Sequence, residues 1–236
     1  MTWTINSACC ALSVLAVSAC APVAGSGRAR TLGRGRYALQ ASPELTVVTG
    51  KVAGGDIPLP SAQLTMGGQY GLTDQLDLGL RLWGFSVGKY LLESWGTSID
   101  TKLQLKRASD APGTREADIA VAPRVLYHQV TFGGTPEHMV GLSVPLLFGW
   151  RFGQANQLVL GARIDHQVWM SESQTPLGVT LGGGSLGFVW QLAQHWALMP
   201  ELVLLYSPLS FNGESGAEDS RGLSVLSLGF GVSYTR

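Results

Sequence analysis

The amino-acid sequence predicts an all-β fold, an antiparallel up-and-down transmembrane β-barrel of about ten strands. Three observations carry the prediction. From about Tyr37 to the last residues, apolar and polar side chains alternate with period two, punctuated by many of the chain's 31 glycines. Sustained alternation of this kind gives each strand two unlike faces. The apolar face is unusually clean, and no other part of the chain could cover it. Charged residues make up only 14% of the 236, against roughly 25% in a soluble domain. Sixteen basic and sixteen acidic residues balance, so no net field exists to recruit nucleic acid.

The chain opens on an apolar stretch over residues 8–19, of signal-peptide length and too short to cross a bilayer as a helix. The tetrad Val17-Ser18-Ala19-Cys20 that ends it resembles the bacterial lipoprotein signal. By that resemblance residues 1–19 are a signal peptide, cleavage leaves Cys20 first, and Cys20 carries the acyl chains (palmitate among them). Ala21, rather than Asp, after the cysteine implies the outer membrane. Residues 1–7 depart from the pattern in having no Lys or Arg. All three cysteines lie in the first 20 residues, so the processed chain keeps one and can form neither an internal disulfide nor a thiolate cluster. Residues 20–35, rich in Gly and Arg, read as a lipidated N-terminus and flexible tether. Residues 36–236 read as the barrel.

Strands are predicted at 36–49, 60–71, 76–86, 96–107, 116–130, 138–151, 157–170, 178–192, 195–208 and 222–235. They match or exceed the roughly 9–11 residues that a tilted membrane-spanning strand requires. Tight connections after the second, sixth and eighth strands contrast with longer ones expected at 50–59, 87–95 and 210–221. Short turns on one side and long loops on the other are the outer-membrane pattern, with the turns facing the periplasm. An even strand count then places both chain ends on the periplasmic side, where a lipid on Cys20 enters the inner leaflet.

Sorting by parity separates the faces. The sixth predicted strand sets Val140, Leu142, Val144, Leu146, Phe148 and Trp150 on one side. The last sets Leu226, Leu228, Phe230, Val232 and Tyr234 opposite Ser227, Gly229, Gly231 and Ser233. Tyr70, Tyr127, Trp150, Trp190, Trp196, Tyr206 and Tyr234 fall near strand ends on the apolar parity, as the interfacial aromatic girdles of a barrel do. The opposite parity collects Glu44, Asp77, Arg81, Asp100, Lys102, Lys106, Asp118, Arg124, Arg163, Asp165 and Glu201. These charges are expected to line the lumen and to pair across it. An interior of this size is filled or nearly filled by side chains, and a lone charge there is costly. The lumen is therefore expected to be plugged. Period-two alternation also allows a soluble barrel or sandwich with the apolar face turned inward; strand length and girdle aromatics argue against it.

Candidates for chemistry are few. His138 begins a strand, His195 adjoins a tight turn, and His166 has lipid-facing parity. His128 alone has lumenal parity and could act with Asp165 as a general base near the outer rim. Ten-stranded outer-membrane proteases use acidic residues and a His there, but no matching local motif is present. No His has a Ser two positions away, as the lipid A deacylase pattern would have. Gly182-Gly183-Gly184 has no following Lys-Ser/Thr and reads as a strand softened for curvature or close packing. No metal-ligand spacing stands out, and no catalytic residue, metal or cofactor is expected.

The segment QYGLTDQLDLGLRL, residues 69–82, resembles a hairpin common in uncharacterised bacterial outer-membrane β-barrel proteins and lipoproteins. An aromatic-Gly-Leu-Thr-Asp turn there joins two strands, the second alternating Leu with Asp, Gly and Arg. LGFGVSYTR at the C-terminus is similar to the terminal-strand signal read by the barrel assembly machinery, with Thr235 and Arg236 added after the aromatic Tyr234. The resemblance implies fold and location, with outer-membrane lipids and the assembly machinery as partners. The function expected is structural or accessory, docking an envelope protein, without enzymatic activity. The alternatives are a narrow pore, altered by substitution of Asp100 or Arg124, and an outer-rim hydrolase or lipid-modifying enzyme.

Overall fold

The computed structural model describes residues 27–52, 55–87, 92–109, 116–132, 135–152, 155–170, 177–207 and 222–236. The leader and Cys20 lie outside the described residues. Eleven strand segments follow one another: β1 (Tyr37–Val52), β2 (Gly55–Gly71), β3 (Leu76–Val87), β4 (Leu92–Lys106), β5 (Ala117–Val121), β6 (Arg124–Phe132), β7 (Thr135–Phe152), β8 (Asn156–Met170), β9 (Leu177–Gln191), β10 (Trp196–Ser207) and β11 (Leu223–Thr235). Each pairs antiparallel with its neighbours, and β1 pairs with β11 from Ala38–Thr235 to Thr49–Ser224, closing the barrel.

β5 and β6 are two halves of one barrel strand, so the wall has ten. Both lie between β4 and β7. The predicted strand 116–130 is interrupted where Pro123, which has no N–H, cannot join the ladder. The flanking groups are satisfied across the break: Ala122 N–H donates to Pro145 O at 2.9 Å, and Thr101 N–H to Pro123 O at 2.9 Å.

The start of β1 and the end of β11 lie at the end of the barrel that carries the tight turns, called here the terminal end. At the other end the long loops expected at 50–59 and 87–95 are mostly strand. β1 and β2 stay paired to Val52–Gly55, and β3 and β4 to Val87–Leu92. Backbone pairing continues after the apolar alternation has faded, because no apolar surroundings select side chains there. The ladder outruns its own sequence signal.

The side-chain distribution is inverted relative to a water-soluble barrel. Along β11 the inward and outward positions alternate without a break from Leu223 to Ser233. Outward-facing Ile99 and Ile164 are 60% and 61% exposed, while inward-facing Asp118 is 0% exposed. The soluble alternative, with the apolar face inside, is thereby excluded. Only a membrane offers that exterior an apolar solvent. Tyr70, Trp150, Trp190, Trp196 and Tyr234 cluster at the terminal end, with Tyr234 against Trp196 at 5.1 Å. Tyr127 and Tyr206 lie toward the opposite end, where Trp95 packs on Tyr127 at 5.5 Å. Gly183 of the glycine run is required by close packing, since an added Cβ would meet the Leu204 carbonyl.

Candidate functional site in the barrel lumen

The ten charges Glu44, Asp77, Arg81, Asp100, Lys102, Asp118, Arg124, Arg163, Asp165 and Glu201 all point inward and are buried. Lys106 departs from the expected parity. The β4–β5 register shifts between Gln104 and Lys106, turning the Lys106 side chain out to where it is half-exposed beside Glu116. Such a bulge inverts the faces beyond it. Among the described residues the wall therefore presents six buried carboxylates and four buried cations.

Part of the difference is supplied from outside the wall. Residues 27–34, expected to belong to a flexible tether, lie inside the terminal end of the barrel. The segment touches the strands in spatial order. Arg34 N–H donates to Asp74 at 3.2 Å, Leu32 N–H to both Asp77 oxygens at 3.0 and 3.1 Å, and Thr31 N–H to Gln104 Oε1 at 2.8 Å. Arg30 pairs with Asp118 at 3.2 Å, Ala29 N–H donates to Gln157 at 3.1 Å, and Arg28 donates to Gln191 at 2.6 Å. Ala29 is also fully buried among Leu147, Val159, Val189, Ala197 and Met199. The turn from this segment into β1 needs Gly33, with φ +88°, packed so closely on Gly71 that no side chain fits at position 71. An extended backbone with unpaired N–H groups meets a wall of unpaired acceptors, and each satisfies the other.

Deeper in, Asp100 bridges two guanidinium groups. Arg124 Nε reaches it at 2.8 Å, Arg81 contacts its other oxygen, and Ser98 donates at 2.9 Å. Arg163 donates to Asp165 at 2.8 Å. Glu44 accepts from Ser227 at 2.6 Å and from Thr46 at 3.2 Å. Toward the opposite end the filling turns apolar: Trp83, Leu126, Val130 and Met139 form one cluster, with Trp169 against it.

His128, 0% exposed, sits beside that cluster. Trp83 Nε1–H donates to its Nδ1 at 3.2 Å, and its Nε2 meets Ser94 Oγ at 2.7 Å. Indole N–H is a donor only, so Nδ1 is the acceptor and Nε2 carries the proton. Both ring nitrogens are engaged, and Asp165 is held by Arg163, so the His128–Asp165 pair does not form. The other histidines are tied locally: His138 to Tyr127, His166 to Thr180 and His195 to the Thr235 carbonyl, each at 2.8 Å. Among the described residues no group of three or more His, Cys, Asp or Glu could hold a metal ion.

Three layers thus lie along the lumen: the inserted segment, the charged tier and the apolar tier. Solved structures repeat the architecture. An outer-membrane channel from Pseudomonas putida F1 is similar over 90% of this chain and 100% of its own, at 12% identity and a TM-score of 0.50. The fold is that of the outer-membrane β-barrels. The outer-membrane protease OmpT from Escherichia coli matches over 88% of this chain and 98% of its own, at 9% identity and a TM-score of 0.45. The translocator domain of the autotransporter NalP from Neisseria meningitidis matches over 97% and 96%, at 11% identity and a TM-score of 0.42. No protein-family model matches the chain, nor does any curated protein sequence.

Proposed function

We propose that this protein is a closed β-barrel of the bacterial outer membrane with a structural or partner-docking role in the envelope. A lipid on Cys20 adds a second hold, and both chain ends face the periplasm. The observation that carries the reading is residues 27–34 hydrogen-bonded across the lumen below a paired charge tier and an apolar tier. A conduit needs a continuous wet path, and the side chains and backbone that stand across the lumen support a closed barrel. The role in this reading is non-enzymatic, and it is supported by His128 and Asp165, the candidate general-base pair, being held by separate structural partners.

The anchor and the inserted segment lie close in sequence. Gly27 follows Cys20 by seven residues, at most ~25 Å of extended chain. Growth with a labelled acyl precursor tests the anchor. Label on wild type and none on Cys20→Ala is expected; equal label on both rules it out.

Closure is tested by single-channel recording of the refolded protein in a planar bilayer, with a heat-shift gel to establish that the barrel is folded. Folded protein without openings is the expected result. Reproducible openings by folded protein would replace the closed scaffold with a transport reading.

A further inference from the structure

A cavity of about 30 Å³ lies between the inserted segment and the wall formed by β1 to β4, β10 and β11. Four cationic side chains line it, Arg28 and Arg30 from the segment and Arg81 and Lys102 from the wall, and no carboxylate does. Two of the four are committed elsewhere: Arg30 pairs with Asp118, and Arg81 with Asp100. Arg28 donates to the neutral Gln191 amide and, among the described residues, has no carboxylate partner. Lys102 stands opposite Asp77 in the β3–β4 ladder and has Asp77 and Asp100 as its counter-charges, without a hydrogen bond to either. Lys102 makes no hydrogen bond among the described residues.

A second observation points into the same space. The Thr65 hydroxyl lines the cavity, its residue is only 6% exposed, and it has no hydrogen-bond partner. Gln40 and Gln69 line it as well and offer amide donors. Cations and hydroxyl and amide donors converge on a small volume that, among the described residues, no carboxylate lines. Arg28 alone of the four has no carboxylate among the described residues, and a buried charge is unfavourable unless a counter-charge joins it. Guanidinium and ammonium groups with hydroxyl and amide donors are the set that recognises tetrahedral oxyanions.

We infer that this cavity binds a small oxyanion of the phosphate type, held by Arg28, Lys102 and Thr65. The volume suits one central atom with its oxygens and excludes a sugar or nucleotide. The anion comes either free from solution or as the headgroup of a lipid at the terminal rim. The inserted segment supplies one side of the site, so bound anion also fastens that segment to the wall.

The test titrates the refolded full-length protein in detergent with sodium phosphate, against sodium chloride at matched ionic strength, by calorimetry and by unfolding temperature. A short-chain phosphatidic acid in the same detergent is the second probe. Saturable binding of phosphate or phosphatidic acid, but not chloride, is expected. Arg28→Gln and Lys102→Gln should each weaken it by about tenfold or more, the loss of one hydrogen bond to a charged group. Arg36→Gln, an exposed site outside the cavity, should leave it unchanged. Arg28 lies outside the strands, so its variant folds irrespective of the wall, and a heat-shift gel verifies this. Tighter binding of phosphatidic acid assigns the headgroup as the source, and tighter phosphate the free ion. Binding of neither probe, or binding that survives in both variants, overturns the site. That failure is separate from the closed-lumen reading, which rests on conductance.

Discussion

Asp118 shows what a single lumenal carboxylate can organise. Fully buried, it accepts from Ala108 N–H at 2.9 Å, Gln157 Nε2 at 3.1 Å and Arg30 Nε at 3.2 Å. Turn, wall and inserted segment meet on one side chain. Asp100 has the same role a tier deeper, between Arg81 and Arg124. Asp100→Ala should therefore strand two buried guanidinium groups and lower stability by about 3–5 kcal/mol. Lys106→Ala, on the exterior, should stay within about 0.5 kcal/mol; urea unfolding in lipid vesicles compares the two. His128→Ala should cost about 2–4 kcal/mol through lost packing and the orphaned Trp83 N–H, measured the same way. Parity alone is enough to read which residues face inward. It cannot say who pairs with whom, because partner choice depends on inter-strand register. It misplaces Lys106 because a bulge leaves no mark in the alternation.

The inserted segment is the element that sequence reasoning does not foresee. Eight residues of Gly, Arg, Ala, Thr and Leu have no periodicity to read, and the order of 27–34 comes from acceptors on strands far away in sequence. A usable signal exists all the same. With Lys106 outside, the wall carries two more buried carboxylates than cations among the described residues, and Arg30 of the segment pairs with one of them, Asp118. Deleting 27–34 should lower the unfolding temperature while the barrel stays folded and electrically silent, because the apolar tier around Trp83 still blocks the far end. Openings in that deletion would show the segment to be the sole barrier. Gly33→Val should weaken the same segment by about 1–3 kcal/mol, since a β-branched residue at φ +88° is strained. Increased protease access near residue 30 is the readout.

For the whole barrel, the strand count, the closed antiparallel order and the apolar exterior are all legible, because a membrane selects one face of every strand along its full crossing. What is not legible lies where that selection stops: the paired strand ends beyond the apolar band and the break at Pro123. The exterior also makes an optical prediction. Brominated acyl chains should quench emission from the half-exposed Trp190 and Trp196 and spare buried Trp83. Trp190→Phe and Trp196→Phe should each reduce the quenchable fraction, whereas Trp83→Phe should not. Equal quenching of Trp83 would contradict its lumenal placement.

The seam between β1 and β11 has a consequence for how the molecule is made. It joins Ala38 to Thr235 and Thr49 to Ser224, so the first strand waits for the last. Until Leu223–Thr235 is available, β1 holds a row of unpaired backbone groups that any other strand can copy. A chain cut short before β11 is consequently an open sheet with two adhesive margins. It should associate with its own copies, while the full-length chain has no margin left to share.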